Sequence, residues 1–142
     1  MTTEQKHQAL VPELYCSNFS SSLHFYAEKI GFEILYSREE EKFAYLKLGN
    51  AELMIEEPNE NGDRVWWTGQ AEKPYGRGIN FQIEVEDVDQ LFNRISQYKI
   101  PLFLEMENKW YRKGNHEVGN RQFIVQDPDG YLLRFYSSLG VK

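Results

Sequence analysis

The stretch Phe123-Ile124-Val125-Gln126-Asp127-Pro128-Asp129-Gly130-Tyr131-Leu132-Leu133-Arg134-Phe135-Tyr136 reads as two strands joined by a tight turn. Asp-Pro-Asp-Gly is turn chemistry: proline presets φ, the aspartates bond nearby N–H groups, and glycine accepts positive φ. Upstream, Asn80–Val85 alternates as a strand. Asp87 is placed to cap a helix with Val88, Leu91, Phe92 and Ile95 on one face, and Pro101–Glu105 is a further strand. Residues 107–119, with Trp110-Tyr111 and Gly114-Asn115-His116, read as an added loop.

The same order occurs earlier in the chain. Ala9–Cys16 reads as a strand, with Pro12 marking an edge or a place where two subunits exchange elements. Asn18 or Ser20 caps a helix carrying Leu23, Tyr26 and Ile30, and Gly31 ends it. Phe32–Ser37 is a strand, and Lys42–Leu48 pairs with Glu52–Glu56 around Gly49-Asn50. The expected architecture is one α+β domain over residues 1–142, built from two βαβββ modules that form curved mixed sheets. Module 1 covers about residues 8–57, the linker 58–77 and module 2 about 78–138. The linker is polar at Glu57–Asp63, yet Trp66-Trp67 interrupts it. Those rings pack on the core, cover a subunit interface or stand at a ligand groove.

A formal charge of −6 and the lack of any Lys/Arg cluster argue against nucleic acid and anionic membranes as partners. Three Trp, nine Tyr and nine Phe exceed what a core of this size needs, so part of them is expected at a groove. The single Cys16 sits in an apolar run and is expected to be a buried, inert thiol. Met1–His7 is polar and leads into no apolar signal segment, and no run approaches the roughly 20 apolar residues of a bilayer span. The expectation is a cytoplasmic protein.

Strand, helix and three strands, repeated and closed by Asp127-Pro128-Asp129-Gly130, resembles the vicinal oxygen chelate superfamily of glyoxalase I, extradiol dioxygenases, fosfomycin-resistance enzymes and bleomycin-resistance proteins. Residues 10–14, Ser22–Tyr26 with Gly31-Phe32, and Gly119–Phe135 carry the likeness. The resemblance implies metal ligands on the first and last strand of each half. Those positions fall on Val11, Glu56, Asn80 and Arg134, of which only Glu56 is a competent donor. No metal or other cofactor is therefore expected. Arg134 is expected to pair with Glu56, or both to lie exposed. His7, His24 and His116 are expected at the surface.

Within the superfamily the chain is most similar to the bleomycin-resistance branch. That likeness implies a non-catalytic homodimer sequestering a cationic, partly aromatic ligand of the bleomycin family in grooves between subunits, as an antibiotic-resistance device. Phe43, Tyr45, Trp66, Trp67, Trp110 and Tyr111 are the candidate stacking faces; Glu56 and Glu84, with Glu39–Glu41, are the candidate charges. Val118 stands where the branch carries a Trp before the Gly119-Asn120-Arg121-Gln122-Phe123 stretch, so that a stacking platform is either lost or replaced by Trp110-Tyr111. The alternative is a metal-dependent lyase, dioxygenase or thiol transferase with a displaced site using Glu56 and His116.

Overall fold

Two short acceptor side chains set where the chain turns from strand to helix. Asn18 takes the N–H of Ser21 and Asp87 takes that of Gln90, satisfying donors a helix start leaves bare. A computed structural model describes residues 6–59 and 64–142. Residues 1–5 of the polar Met1–His7 stretch and the linker positions 60–63 lie outside the described residues.

The chain forms two four-stranded sheets, each preceded in its module by one helix after the first strand. In module 1, β1 (Glu13–Tyr15) lies parallel to β4 (Ala51–Glu56), which pairs with β3 (Phe43–Leu48) and then β2 (Glu33–Arg38). In module 2, β5 (Asn80–Glu84) lies parallel to β8 (Leu132–Val141), followed by β7 (His116–Gln126) and β6 (Leu102–Lys113). Helices α1 (Phe19–Leu23) and α2 (Val88–Gln97) cover one face of the sheets. α1 widens into a π-helical run, His24–Ile30, where Gly31 N–H reaches Tyr26 O. Gly31 ends it at φ 105°, as its position implied.

The core lies between helices and sheets and is shared by both modules: Tyr26, Ile30, Leu46 and Ile55 join Ile95, Phe123, Leu133 and Phe135. Arg94 fastens α2 to the end of the π-helical run by donating to Glu28 O and Lys29 O.

Three boundaries depart from the sequence reading. β1 is only three residues long and Ala9–Pro12 is not strand; Pro12 contributes its carbonyl to Met54 N–H at the sheet's edge. Residues 107–119 are no loop. Apart from the turn at 114–115, they are the outer half of a long β6–β7 hairpin that turns at Gly114-Asn115, with Lys113 opposite His116. Gly114 supplies the positive φ such a turn needs, as Gly49 does between Leu48 and Ala51. β8 also continues past the expected end, to Val141.

The Asp-Pro-Asp-Gly turn joins the modules. One Asp127 oxygen accepts the N–H groups of Asp129, Gly130 and Tyr131, and the other accepts the Tyr26 hydroxyl at 2.7 Å. The Asp129 carboxylate takes the Ser17 N–H and hydroxyl and faces Lys73 Nζ at 3.3 Å. Tyr131 donates to Tyr15 O. Gly130 is needed twice: its φ is 107°, and a Cβ there would lie 2.5 Å from Pro74 Cβ.

Removing the Tyr26 hydroxyl strips one buried acceptor of its donor. Tyr26→Phe is expected to lower the unfolding free energy by about 1–3 kcal/mol in denaturant titration. Burial pushes the Asp127 carboxyl up to about 6, against the pull of Tyr26 and of the Asp129 and Tyr131 N–H groups. In the unfolded chain it titrates near 3.9. Between those values the folded protein keeps a proton the unfolded chain has released, so this group's contribution is largest below about pH 4 and falls as pH rises through 6. Relative to Asp127→Asn, the native chain should lose about 2–3 kcal/mol between pH 4 and pH 6.5. An equal response of both proteins to pH would mean the carboxylate is already ionised at pH 4.

Candidate functional site

Each sheet has a second face, away from the helices, and alternation decides what stands there. In module 1 the register aligns Glu13 with Met54 and Tyr15 with Glu56, while Phe43 and Tyr45 stand across β4 on the same face. Much of it is already covered. Trp66 stacks on Tyr15 at 3.6 Å and its N–H donates to the Tyr15 hydroxyl. Trp67 leans on Tyr15 and meets Tyr75 edge-on. Trp66 remains 41% exposed, so its outer face is free. Tyr45 and Phe43 are buried: Tyr45 lies between His7 and Tyr36, and the Arg38 guanidinium sits 4.0 Å above Phe43. His7 is exposed at the surface, as expected, and is also in contact with Tyr45 and Glu52.

Two carboxyl arrangements on this face escaped the sequence reading. Glu52 is buried and accepts the Tyr45 hydroxyl at 2.7 Å and Gln8 N–H. Burial raises its pKa, but those hydrogen bonds and the charges of His7 and Lys47 outweigh it and leave it below the ordinary value. Burial first, then the neighbouring Glu13 carboxyl, raise the Glu56 pKa. The period-2 pattern Glu13-Leu14-Tyr15 was the available signal.

In module 2 the helix-free face is an open trough of about 450 Å³ lined by Gln82, Glu84, Tyr111, Arg134 and Tyr136 among others. A second hollow of about 710 Å³ shares Gln82, Glu84 and Tyr136 and runs to the Gly49-Asn50 turn of module 1. Trp110 and Tyr111 are neighbours in a strand and so point to opposite faces. Tyr111 lines the trough; Trp110 packs against Gly119, with Lys142 Nζ 4.2 Å above its ring. Trp110 is therefore no companion platform to Tyr111.

The expected partnership of Arg134 with Glu56 does not form. Arg134 sits in the module 2 sheet and reaches the Tyr111 hydroxyl at 3.4 Å, and no ion pair of either residue occurs among the described residues. His116 stands exposed at the hairpin turn, and among the described residues no three His, Cys, Asp or Glu side chains are grouped to hold a metal. The displaced site pairing Glu56 with His116 is thus not assembled.

Register also bears on the metal positions. Asn80 aligns with Leu132, two residues before Arg134. The same two-residue step on the β1–β4 register matches Glu56 to Glu13, which is level with Met54, while Val11 lies before the paired residues. Module 1 then offers at most two carboxyls, Glu13 and Glu56. Asn80 and Arg134 add neither carboxylate nor imidazole, and a guanidinium repels a cation, so these residues do not fit a divalent ion.

Comparison with known proteins agrees with the fold. The family model of the glyoxalase/bleomycin resistance protein/dioxygenase superfamily matches residues 7–135. A bleomycin resistance protein of Geobacillus stearothermophilus is 25% identical over 142 residues, covering 91% of this chain and 96% of its own. The crystal structure of TioX from Micromonospora sp. ML1 superposes with a TM-score of 0.71 at 20% identity, covering 95% of this chain and 100% of that one. A lactoylglutathione lyase from Agrobacterium tumefaciens gives 0.60 at 20% identity over 93% and 95%. Two βαβββ modules joined through a buried Asp-Pro-Asp-Gly turn, and a family match over nearly the whole length, place this chain in the glyoxalase/bleomycin resistance protein/dioxygenase superfamily.

Proposed function

We propose that the chain is a non-catalytic binding protein that works as a homodimer and sequesters a cationic, partly planar ligand of the bleomycin type. The observation that carries the reading is the donor set on the first and last strands: Asn80 and Arg134 in module 2 add nothing to the Glu13 and Glu56 carboxyls of module 1, and a superfamily scaffold with so poor a grip on an ion retains the capacity to hold a guest. The likeness to bleomycin resistance proteins supports the ligand class.

The geometry supplies two kinds of contact. The free face of Trp66, backed by Tyr15, is a rigid platform for a planar group. Glu84 in the trough, with Glu13 and Glu56 on the other module, offers negative charge to a cationic tail. In a dimer the helix-free face of module 1 meets module 2 of the second copy, closing platform and trough into one groove. Leu10, 82% exposed on the arm before β1, and Val141, 67% exposed at the end of β8, gain cover from such a partner.

Light scattering in dilute buffer should give about twice 16.8 kDa; a monomer mass would remove the shared groove. Calorimetry with metal-free and copper-loaded bleomycin should show heat and micromolar or tighter binding, about 8 kcal/mol or more. Trp66→Ala should weaken it by roughly tenfold through the lost stacking face. Absence of both heat and melting shift at roughly 50 μM drug would exclude this drug class as the ligand.

A further inference from the structure

A guanidinium in the trough of module 2 has more donors than partners. Arg134 is half-buried on β8; its Nη1 meets the Tyr111 hydroxyl at 3.4 Å, while its Nε is buried with no hydrogen-bond partner. No carboxylate lies within ion-pairing distance of it among the described residues, although the chain carries 22 acidic side chains against 16 Lys and Arg. A partly desolvated charge left unpaired is unfavourable unless something else meets it.

The groups around Arg134 are oriented for that something to be an acceptor. Gln122 is only 1% exposed, and its amide N donates both to Glu107 Oε2 at 2.8 Å and to the Tyr111 hydroxyl at 2.7 Å. The Glu107 carboxylate fixes this orientation, since the opposite one would set oxygen against oxygen. Tyr111 thus accepts from Gln122 and from Arg134, which leaves its own O–H uncommitted to either at the trough it lines. A charged fork and a hydroxyl converge with spare N–H and O–H hydrogens. That is how proteins receive a carboxylate or a phosphate.

We propose that Arg134 and Tyr111, braced by Gln122 and Glu107, form an oxyanion subsite in the module 2 trough, at the strand position where metal-binding relatives would need a cation ligand. The ligand is then amphoteric. Its carboxylate or phosphate docks on Arg134, and its cationic part lies toward Glu84, which stands one diagonal step away on β5, opposite Tyr136. This extends the binding reading above to the same face, but it stands on residues of one module and needs no drug.

The test therefore uses simple anions without bleomycin, so that failure of the drug and failure of the subsite read separately. Sodium acetate and inorganic phosphate are each titrated at constant ionic strength against sodium chloride, following the Arg134 Nε–H and Tyr111 ring signals by NMR. Saturable shifts with either anion, absent with chloride, are expected; which anion binds tells carboxylate from phosphate. Tyr111→Phe should weaken binding by roughly tenfold, and Arg134→Lys, which keeps charge but loses the fork, by at least as much. Glu84→Gln should strengthen it about threefold, the size of a unit repulsion near 7 Å in water-like surroundings. Arg134→Gln should abolish it. Shifts that chloride reproduces, or saturable binding that survives Arg134→Gln or is unmoved by both Tyr111→Phe and Arg134→Lys, would overturn the assignment.

Discussion

Two buried carboxylates in one four-residue turn hold this molecule in its shape. Asp127 and Asp129 are nearly inaccessible, and an ionised carboxylate taken out of water is costly unless its oxygens are fully occupied. Here they are. Three backbone N–H groups and a phenol meet Asp127; an N–H, a hydroxyl and a lysine meet Asp129. Those donors come from the turn itself, from the helical run of module 1, from the end of β1 and from the segment before β5. The turn satisfies itself only when both modules are in place. Domain integrity and turn formation are therefore one event, and the second module's last hairpin is pinned by the first module's helix.

Pinning at one end dictates what the opposite faces can do. With the helices and the shared core on one side, side chains on the other side answer only to strand alternation and register. The two sheets repeat the same order, with a parallel first strand beside the last. Equivalent positions can then be read from strand pairing rather than from counting along the chain. That reading sets Glu56 against Glu13, as two neighbouring carboxyls. Module 1 thereby presents negative charge and indole, module 2 a guanidinium beside a carboxylate. The scaffold is shared with enzymes, and what these side chains present is charge of both signs beside a stacking surface.

Elements with a local chemical cause were legible in the sequence. Asn18 and Asp87 cap because their side chains reach the N–H three residues on; Gly31 ends its helix because glycine enters the left-handed region freely. The β6–β7 hairpin stands where a loop was expected because polar, charged residues such as Asn108, Lys109 and Arg112 do not look like strand. A hairpin extending beyond its core needs no alternating apolar face; its ladder hydrogen bonds and a Gly-Asn turn suffice. The same Gly-Asn order makes the turn at 49–50, so the signal occurs twice in the chain. The site was less legible. Adjacent Trp110 and Tyr111 look like one platform until strand geometry sends them to opposite faces. The meeting of Arg134, Tyr111 and Gln122 depends on three strands aligning, which no local pattern encodes.

Charge logic connects these observations. A chain of net −6 holds more carboxylates than cations, so an arginine without an ion-pair partner runs against its charge balance. Glu107 is held by the Gln122 amide and Glu56 by Glu13, each on its own rung of a sheet. Rigid strands keep these charges apart at a cost in self-energy that packing alone does not require. An apolar residue at 134 would fill the position between Ile124 and Gln82 without that cost. Retaining a fork of donors there, aimed at open space beside a carboxylate, makes sense for a molecule that brings both signs of charge with it.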